Sequence, residues 1–272
     1  MTKPSTRTAL ITGATSGIGL ESAKALRAAG YRVFGTSRKP ASSLDGIVML
    51  VCDVTDEASV ATMVETVSGE TGRIDLLVNN AGYGVSGAAE ESSVGQAQAM
   101  FDVNLFGIVR TTRAVLPIMR AQKEGRIVNI SSVMGFVPGP YMALYAASKH
   151  AVEGYSESLD HEIRDQGIRV VLVEPAFTRT AFDQNLASAD TPLALYDQVR
   201  AERMVFLREA MKRADMPEVV AKAVVEAATA RAPKRRYAAG PVARQVSLLR
   251  RFVPVSAFDK SFRKQMGLPA IS

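Results

Sequence analysis

Tyr145 and Lys149 stand four residues apart in Tyr145-Ala146-Ala147-Ser148-Lys149. On a helix that spacing puts a phenol and an ammonium on one face. A phenol titrates near ~10, too high for efficient proton exchange at neutral pH. A fixed cation beside it favours the phenolate and brings the value toward the working range. Such a pair could pass a proton to or from a substrate oxygen. Thirteen residues before Tyr145 stands Ser132, just past the apolar run Ile127 to Ile130. That run reads as a buried strand, and ligands bind outside the carboxyl ends of parallel strands. Ser132 is therefore expected to hydrogen-bond the carbonyl oxygen that Tyr145 contacts, and Ser131 to cap or turn the chain.

These residues need a scaffold and a redox partner, and the amino-terminal stretch points to both. Thr8 to Thr12 reads as a strand running into Gly13, Ala14, Thr15, Ser16, Gly17, Ile18 and Gly19, followed by a helical pattern to Gly30. Glycines at a strand-to-helix turn let the backbone approach a pyrophosphate, and the helix start offers free N–H donors. The spacing is GxxxGxG, not the commoner GxGxxG. The next strand, residues 31–36, ends at Ser37-Arg38-Lys39 without an acid. NAD sites usually carry an acid there for the ribose 2′-hydroxyl, whereas a guanidinium and hydroxyls suit a 2′-phosphate. NADP(H) is expected over NAD(H), with Ser37, Arg38 and Ser16 at the phosphate.

Taken together, these residues resemble the compact branch of the short-chain dehydrogenase/reductase family. Thr12 to Gly19 is similar to its TGxxxGIG coenzyme motif, and Asp53-Val54 resembles its adenine-contacting pair. Asn79-Asn80-Ala81-Gly82 is similar to its NNAG motif, and Asn104 with Ser132, Tyr145 and Lys149 to its catalytic tetrad. The resemblance runs from about residue 6 to 182. It implies that Tyr145 donates the proton in reduction, Lys149 holds the nicotinamide ribose, Ser132 orients the carbonyl and Asn104 holds a relay water through its main chain. It also implies a homodimer or homotetramer, and Thr180 bonding the nicotinamide carboxamide, with Pro175 and Thr178 lining the same loop. Where the family has Pro-Gly this chain has Pro175-Ala176, which predicts a shifted or tighter loop. The stretches around Tyr83, His150, Glu157 and Phe182 look most like the 17-beta-hydroxysteroid and retinol dehydrogenases.

Alternating strand and helix signals predict one α/β domain over residues 1–272: a doubly wound, Rossmann-type parallel sheet with helices on both faces. Strands are expected near 8–12, 31–36, 47–52, 74–79, 126–131, 168–174 and 236–239. Helices are expected near 17–29, 56–69, 94–121, 143–165 and 217–231. A hydrophobic content of 47% suffices for a large core. Residues of about 183–215 are expected to form a lid. Its Leu, Met and Phe residues, beside Met134, Met142 and Leu144, predict an apolar ketone, aldehyde or secondary alcohol as substrate.

Cys52 alone cannot form an internal disulfide and is expected in the core, and the two histidines have no metal-ligand company. The polar residues 1–5 and the lack of a long apolar stretch predict a cytoplasmic protein. The net charge of +6 is not read as a nucleic-acid signal, since much of the excess sits in a basic, apolar segment over about 240–272. That segment could lie on an anionic membrane, but two helices covering the cleft or a subunit interface is the preferred reading. Two other classes fit the sequence less well. A non-catalytic redox sensor would not need the tetrad, and an extended-branch epimerase would need a larger substrate domain and a TGxxGxxG loop.

Overall fold

The computed structural model describes residues 6–182 and 186–266. Its centre is a seven-stranded sheet of β1 (Thr8–Ile11), β2 (Arg32–Ser37), β3 (Val48–Val51), β4 (Leu76–Asn79), β6 (Gly125–Ile130), β7 (Ile168–Pro175) and β9 (Arg236–Ala239). The spatial order is β3-β2-β1-β4-β6-β7-β9 and every pairing is parallel. All seven expected strands form within a residue or two of their predicted ends. A short second sheet joins β5 (Val85–Ser86) to β8 (Ala187–Ser188).

Alternation along each strand builds a core on both faces of the sheet. Ala9, Ile11, Leu76, Val78, Val128 and Val171 meet α1 (Gly17–Ala28) and α7 (Pro217–Thr229) through Ala23, Leu26, Val220 and Val224. Leu10, Leu77, Ile127 and Val170 face the other way. There they meet α2 (Glu57–Thr71), α4 (Gly107–Gln122) and α5 (Ala143–Ile163) through Val64, Val115 and Leu159. Burying one such side chain is worth roughly 1.5–3 kcal/mol, against at most about 1 kcal/mol for an exposed ion pair. The two apolar layers therefore dominate the stability. Cys52 joins the second layer, where burial pushes its thiol up.

The single helix expected over 94–121 is instead α3 (Val94–Phe101), a π-helical turn (Asp102–Phe106) and α4. Gly107 N–H bonds the Asp102 carbonyl, five residues back. Gly107 also lies so close to Val54 that a Cβ there would come 2.8 Å from its side chain. The widened turn lets the helix pass Val54 while aiming Asn104 inward, and an unbroken apolar period carries no sign of it. The long helical patterns predicted above also omit α6 (Asp197–Lys212), α8 (Pro241–Phe252) and α9 (Val255–Gln265), whose apolar residues are interspersed with charged ones. The last two form the pair of helices expected of the tail. Among the described residues no helix is long and apolar enough to cross a membrane. Residues 1–5, part of the lid (183–185) and the end of the tail (267–272) lie outside the described residues.

A polar ladder crosses the α4–α5 side of the core. Thr111 Oγ1 donates to Asn79 Oδ1 (2.7 Å), Asn79 Nδ2 donates to Asn129 Oδ1 (2.9 Å), and Asn129 Nδ2 donates to Ser156 Oγ (2.8 Å). All four side chains are buried, so each relies on the next. Asn129→Ala removes the middle rung and leaves Asn79 Nδ2 only its long, 3.5 Å bond to Thr112 Oγ1. We expect a loss of about 1–3 kcal/mol for that weakened buried donor alone, read from the midpoint of urea unfolding. A variant as stable as the wild type would show that the ladder is dispensable.

Candidate active site

The site opens where the order of strands reverses, between β1 and β4, at the carboxyl ends of the strands. Gly13 has φ +67°. A Cβ on Gly19 would sit 2.1 Å from the Gly13 carbonyl oxygen, so only glycine fits this crossing. Thr12 Oγ1 accepts from the N–H groups of Asn80 and Ala81, both at 3.0 Å. Asn80 Nδ2 donates back to the carbonyls of Thr12 (3.0 Å) and Gly13 (2.9 Å). These bonds join the glycine loop to the NNAG turn, and Gly82 at its end is exposed.

Ser16 begins α1 in an extended conformation and gives it no side-chain cap. The first N–H groups of α1 thus lack a capping partner, beside the exposed Thr15 and Ser16 and the half-buried Ile18. Thr180 lies against this start, with its Cβ 3.1 Å from where a Cβ on Gly17 would be. A bare helix start lined by backbone fits a pyrophosphate. Arg38 is exposed just past the end of β2, and Lys39 N–H donates to Ser37 Oγ at 3.2 Å. Asp53 accepts from the N–H (2.9 Å) and hydroxyl (2.8 Å) of Thr55, which hold its carboxyl below the usual range, with Arg38 and Arg110 adding to the effect. Val54 is buried beneath it.

The tetrad converges from three elements. Tyr145 and Lys149 on α5 are 8% and 5% exposed, and the Lys149 nitrogen lies 5.7 Å from the centre of the Tyr145 ring. Lys149 Nζ donates to the Ile130 carbonyl at 2.8 Å. Burial brings the Lys149 ammonium down to about 8, opposed by Glu153 one turn along. Ser132 Oγ accepts from Met134 N–H at 3.1 Å, so the turn-capping role expected of Ser131 is filled by Ser132. A hydroxyl that accepts one bond keeps its proton, so Ser132 can still donate to a carbonyl.

Asn104 is fully buried, and its side chain is already committed. It accepts from Tyr83 N–H (3.0 Å) and donates to the Tyr83 carbonyl (2.9 Å) and Ser148 Oγ (3.1 Å). Only its main chain is left for a relay. Ala176 keeps a negative φ, because the positive-φ residues other than glycine among those described are Asp45, Lys123 and Tyr141. The buried Thr178 donates to the Ala176 carbonyl at 3.1 Å.

Two supports were not foreseen. Beneath Lys149, Arg236 Nη1 lies 2.8 Å from Glu153 and 2.9 Å from Glu174, and its Nε lies 3.0 Å from Glu157. Burial and the neighbouring Glu153 push the Glu174 carboxyl up to about 7. Glu91 is the other. It is fully buried, accepts from the N–H groups of Ala88 and Leu193 (both 2.8 Å), and pairs with Arg200. Its carbonyl also takes Thr191 N–H at 2.8 Å. Apart from Ala88, its partners lie about a hundred residues along the chain, so the neighbouring sequence does not reveal them.

Burial pushes the Glu91 carboxyl up, but its two N–H donors and Arg200 outweigh this and hold it below the ordinary range. A carboxylate with a depressed folded value stabilises above its unfolded pKa of about 4.3 and loses that contribution as the pH falls through the folded value. We expect Glu91→Gln to speed tryptic cleavage at Arg200 and Arg203 at neutral pH while the central sheet stays resistant, and mild acid to do the same to the wild type. Equal cleavage of variant and wild type at neutral pH would refute the tie.

Comparison with known proteins follows the same lines. Residues 7–191 match the short chain dehydrogenase family model. The 3-ketodihydrosphingosine reductase of Bacteroides thetaiotaomicron is 46% identical over 176 residues, which span 65% of this chain and 65% of that protein. The uncharacterized oxidoreductase YbbO of Escherichia coli is 35% identical over 93% of both chains. Among solved structures, a short-chain dehydrogenase from Streptomyces avermitilis superposes with a TM-score of 0.81 at 32% identity, covering 97% of this chain and 96% of that one. The 3-ketoacyl-(acyl-carrier-protein) reductase from Brucella melitensis was solved with NADH (TM-score 0.71, 27% identity, 82% and 90% covered). ElxO was solved with NADP (TM-score 0.72, 28% identity, 85% and 96% covered).

Proposed function

The chain belongs to the short-chain dehydrogenase/reductase family, and we propose that it uses NADP(H) to interconvert a carbonyl and an alcohol on an apolar substrate. The observation that carries this reading is the setting of Tyr145. Its ring packs in an apolar cluster with Val85 and Met100, flanked by Tyr83, Met134, Met142, Leu144 and Phe182, while Lys149 lies against its other side. A proton donor walled by apolar side chains suits a hydrophobic ketone, aldehyde or secondary alcohol better than a sugar. A long-chain ketone is in keeping with the name of the Bacteroides relative. The likeness to 17-beta-hydroxysteroid and retinol dehydrogenases stays a reading of a few stretches of residues.

The glycine loop, the start of α1, Asp53, the NNAG turn, Lys149 and Thr180 would hold the dinucleotide, which supplies or accepts the hydride. In reduction Ser132 donates a hydrogen bond to the substrate oxygen and polarises the carbonyl. Tyr145 then gives its phenolic proton to that oxygen as the carbon gains the hydride, and Lys149 steadies the phenolate left behind. In oxidation the same phenolate takes the alcohol proton. The residues from Leu186 to Lys212, tied through Glu91, act as the lid that excludes water. Exposed Val94 and Phe106 suit an apolar contact with a second copy, in keeping with a homodimer or homotetramer.

If Tyr145 is the donor, Tyr145→Phe lowers turnover by orders of magnitude while NADPH binding stays nearly intact, because the lost contact acts in the transition state. Lys149→Ala lowers both. Near-normal turnover of Tyr145→Phe with apolar ketones would sink the mechanism, and a loss of binding alone would point to a redox sensor.

Cofactor choice rests on Ser37, Arg38 and the missing acid. A charge-assisted bond from Arg38 to a 2′-phosphate is worth roughly 1.5–3 kcal/mol. Ser37→Asp with Arg38→Ile is expected to turn the preference from NADPH to NADH, measured as the ratio of kcat/KM values. Equal binding of the two dinucleotides by the wild type would overturn the assignment.

A further inference from the structure

We infer that α8 and the start of α9 form a docking face for an anionic lipid bilayer at the side of the cleft. The exposed side chains carry the argument. Phe252 and Val255 are each 71% exposed and Leu248 is 59% exposed, with Leu249 and Val242 also open. Leu248, Leu249 and Phe252 follow one another at helical spacing on α8 and form one apolar strip, and Val255 opens α9 just past the extended Val253–Pro254 break. Such large exposed side chains in a row are unusual for a surface that meets only water.

The charge around the strip selects its occupant. From Pro241 to Met266 the chain carries Arg244, Arg250, Arg251, Lys260, Arg263 and Lys264 against Asp259 alone. That stretch holds +5 of the whole chain's +6. The Arg251 guanidinium lies 5.4 Å from the centre of the Phe252 ring, a cation at the edge of an apolar group. An apolar strip bordered by arginines matches the acyl boundary of a bilayer with anionic headgroups. A second copy meeting this face through a twofold axis would set like charges against each other, which opposes that occupant. The apolar centre likewise distinguishes the face from a phosphate-tracking groove.

Not all of the tail is free. Phe258 and Phe262 stack at 5.9 Å and are half-buried, and Arg250 lies over Phe258. Arg250 Nε donates to the Phe136 carbonyl at 3.1 Å, just past the turn that begins at Ser132. Met134 on that turn packs into the apolar cluster around Tyr145. The docking strip and the proposed site therefore share one short turn. The purpose of this arrangement, delivery of an apolar substrate from the bilayer, rests on the function proposed above, but the docking itself does not.

The test is co-sedimentation of the full chain with vesicles made of equal parts phosphatidylglycerol and phosphatidylcholine, and with pure phosphatidylcholine. We expect binding to the anionic vesicles roughly tenfold stronger than to the neutral ones and weakened by high salt. Leu248→Glu with Phe252→Glu is expected to abolish vesicle binding, with turnover of a small water-soluble ketone and the thermal midpoint unchanged. Equal binding to both vesicle types, or full binding by the double variant, would overturn the inference. So would a wild type that ignores vesicles but loses a dimer in the double variant, since the strip would then be a subunit interface. A chain that binds anionic vesicles yet reduces no carbonyl would support docking and refute only the proposed activity.

Discussion

The crossing of two backbones at the junction of β1 and β4 governs the rest of the molecule. Gly19 must pass the Gly13 carbonyl with no side chain between them, and Thr12 and Asn80 then stitch the two turns together. Ser16 gives α1 no side-chain cap, so the donors at its start stay free for a ligand. A tighter cap at Ser16 would stabilise the helix and close that site. The fold leaves the helix end without a side-chain cap, as the proposed dinucleotide site requires.

Helix α5 is the second fixed element. It carries Tyr145 and Lys149 on one side, Ser148 against Asn104, and Ser156 at the end of the polar ladder. The π turn, the ladder and α5 hold one another in register, so the tetrad is positioned by buried hydrogen bonds more than by its own contacts. Such positioning has a cost. Lys149 sits in a dry place that favours its neutral form, and the carboxylate of Glu153 opposes that tendency. Glu153 is in turn held by Arg236 from the last strand of the sheet. The far edge of the sheet thereby reaches the electrostatics of the site.

Around this rigid centre the chain is fastened unevenly. The stretch from Leu186 to Arg200 is tied by β8 and by Glu91, whereas the outward sides of α6 and α8 leave Met204, Val205, Leu248 and Phe252 open. Tyr141, with φ +62°, sits between these regions. Its carbonyl accepts from Gly87 N–H, and its ring meets that of Tyr196 edge-on. A tyrosine in that conformation is strained and persists because contacts on both sides hold it.

The sequence alone was enough for the parallel sheet, the glycine turn, the NNAG turn and the spacing of Ser132, Tyr145 and Lys149. Each of these is local: a run of β-branched residues, a glycine at a turn, or two polar residues one helical turn apart. Tertiary structure decided what depends on distant partners. Ser132 rather than Ser131 caps its turn because of how the chain leaves β6. The π turn at Asn104 answers to Val54, fifty residues away, and leaves the apolar period of the helix unbroken. Glu91 and Arg200 find each other across more than a hundred residues, and Glu153 and Glu174 meet Arg236 across more than sixty. A buried charge depends on a partner brought by the fold, and spacing along the chain does not record which partner that is.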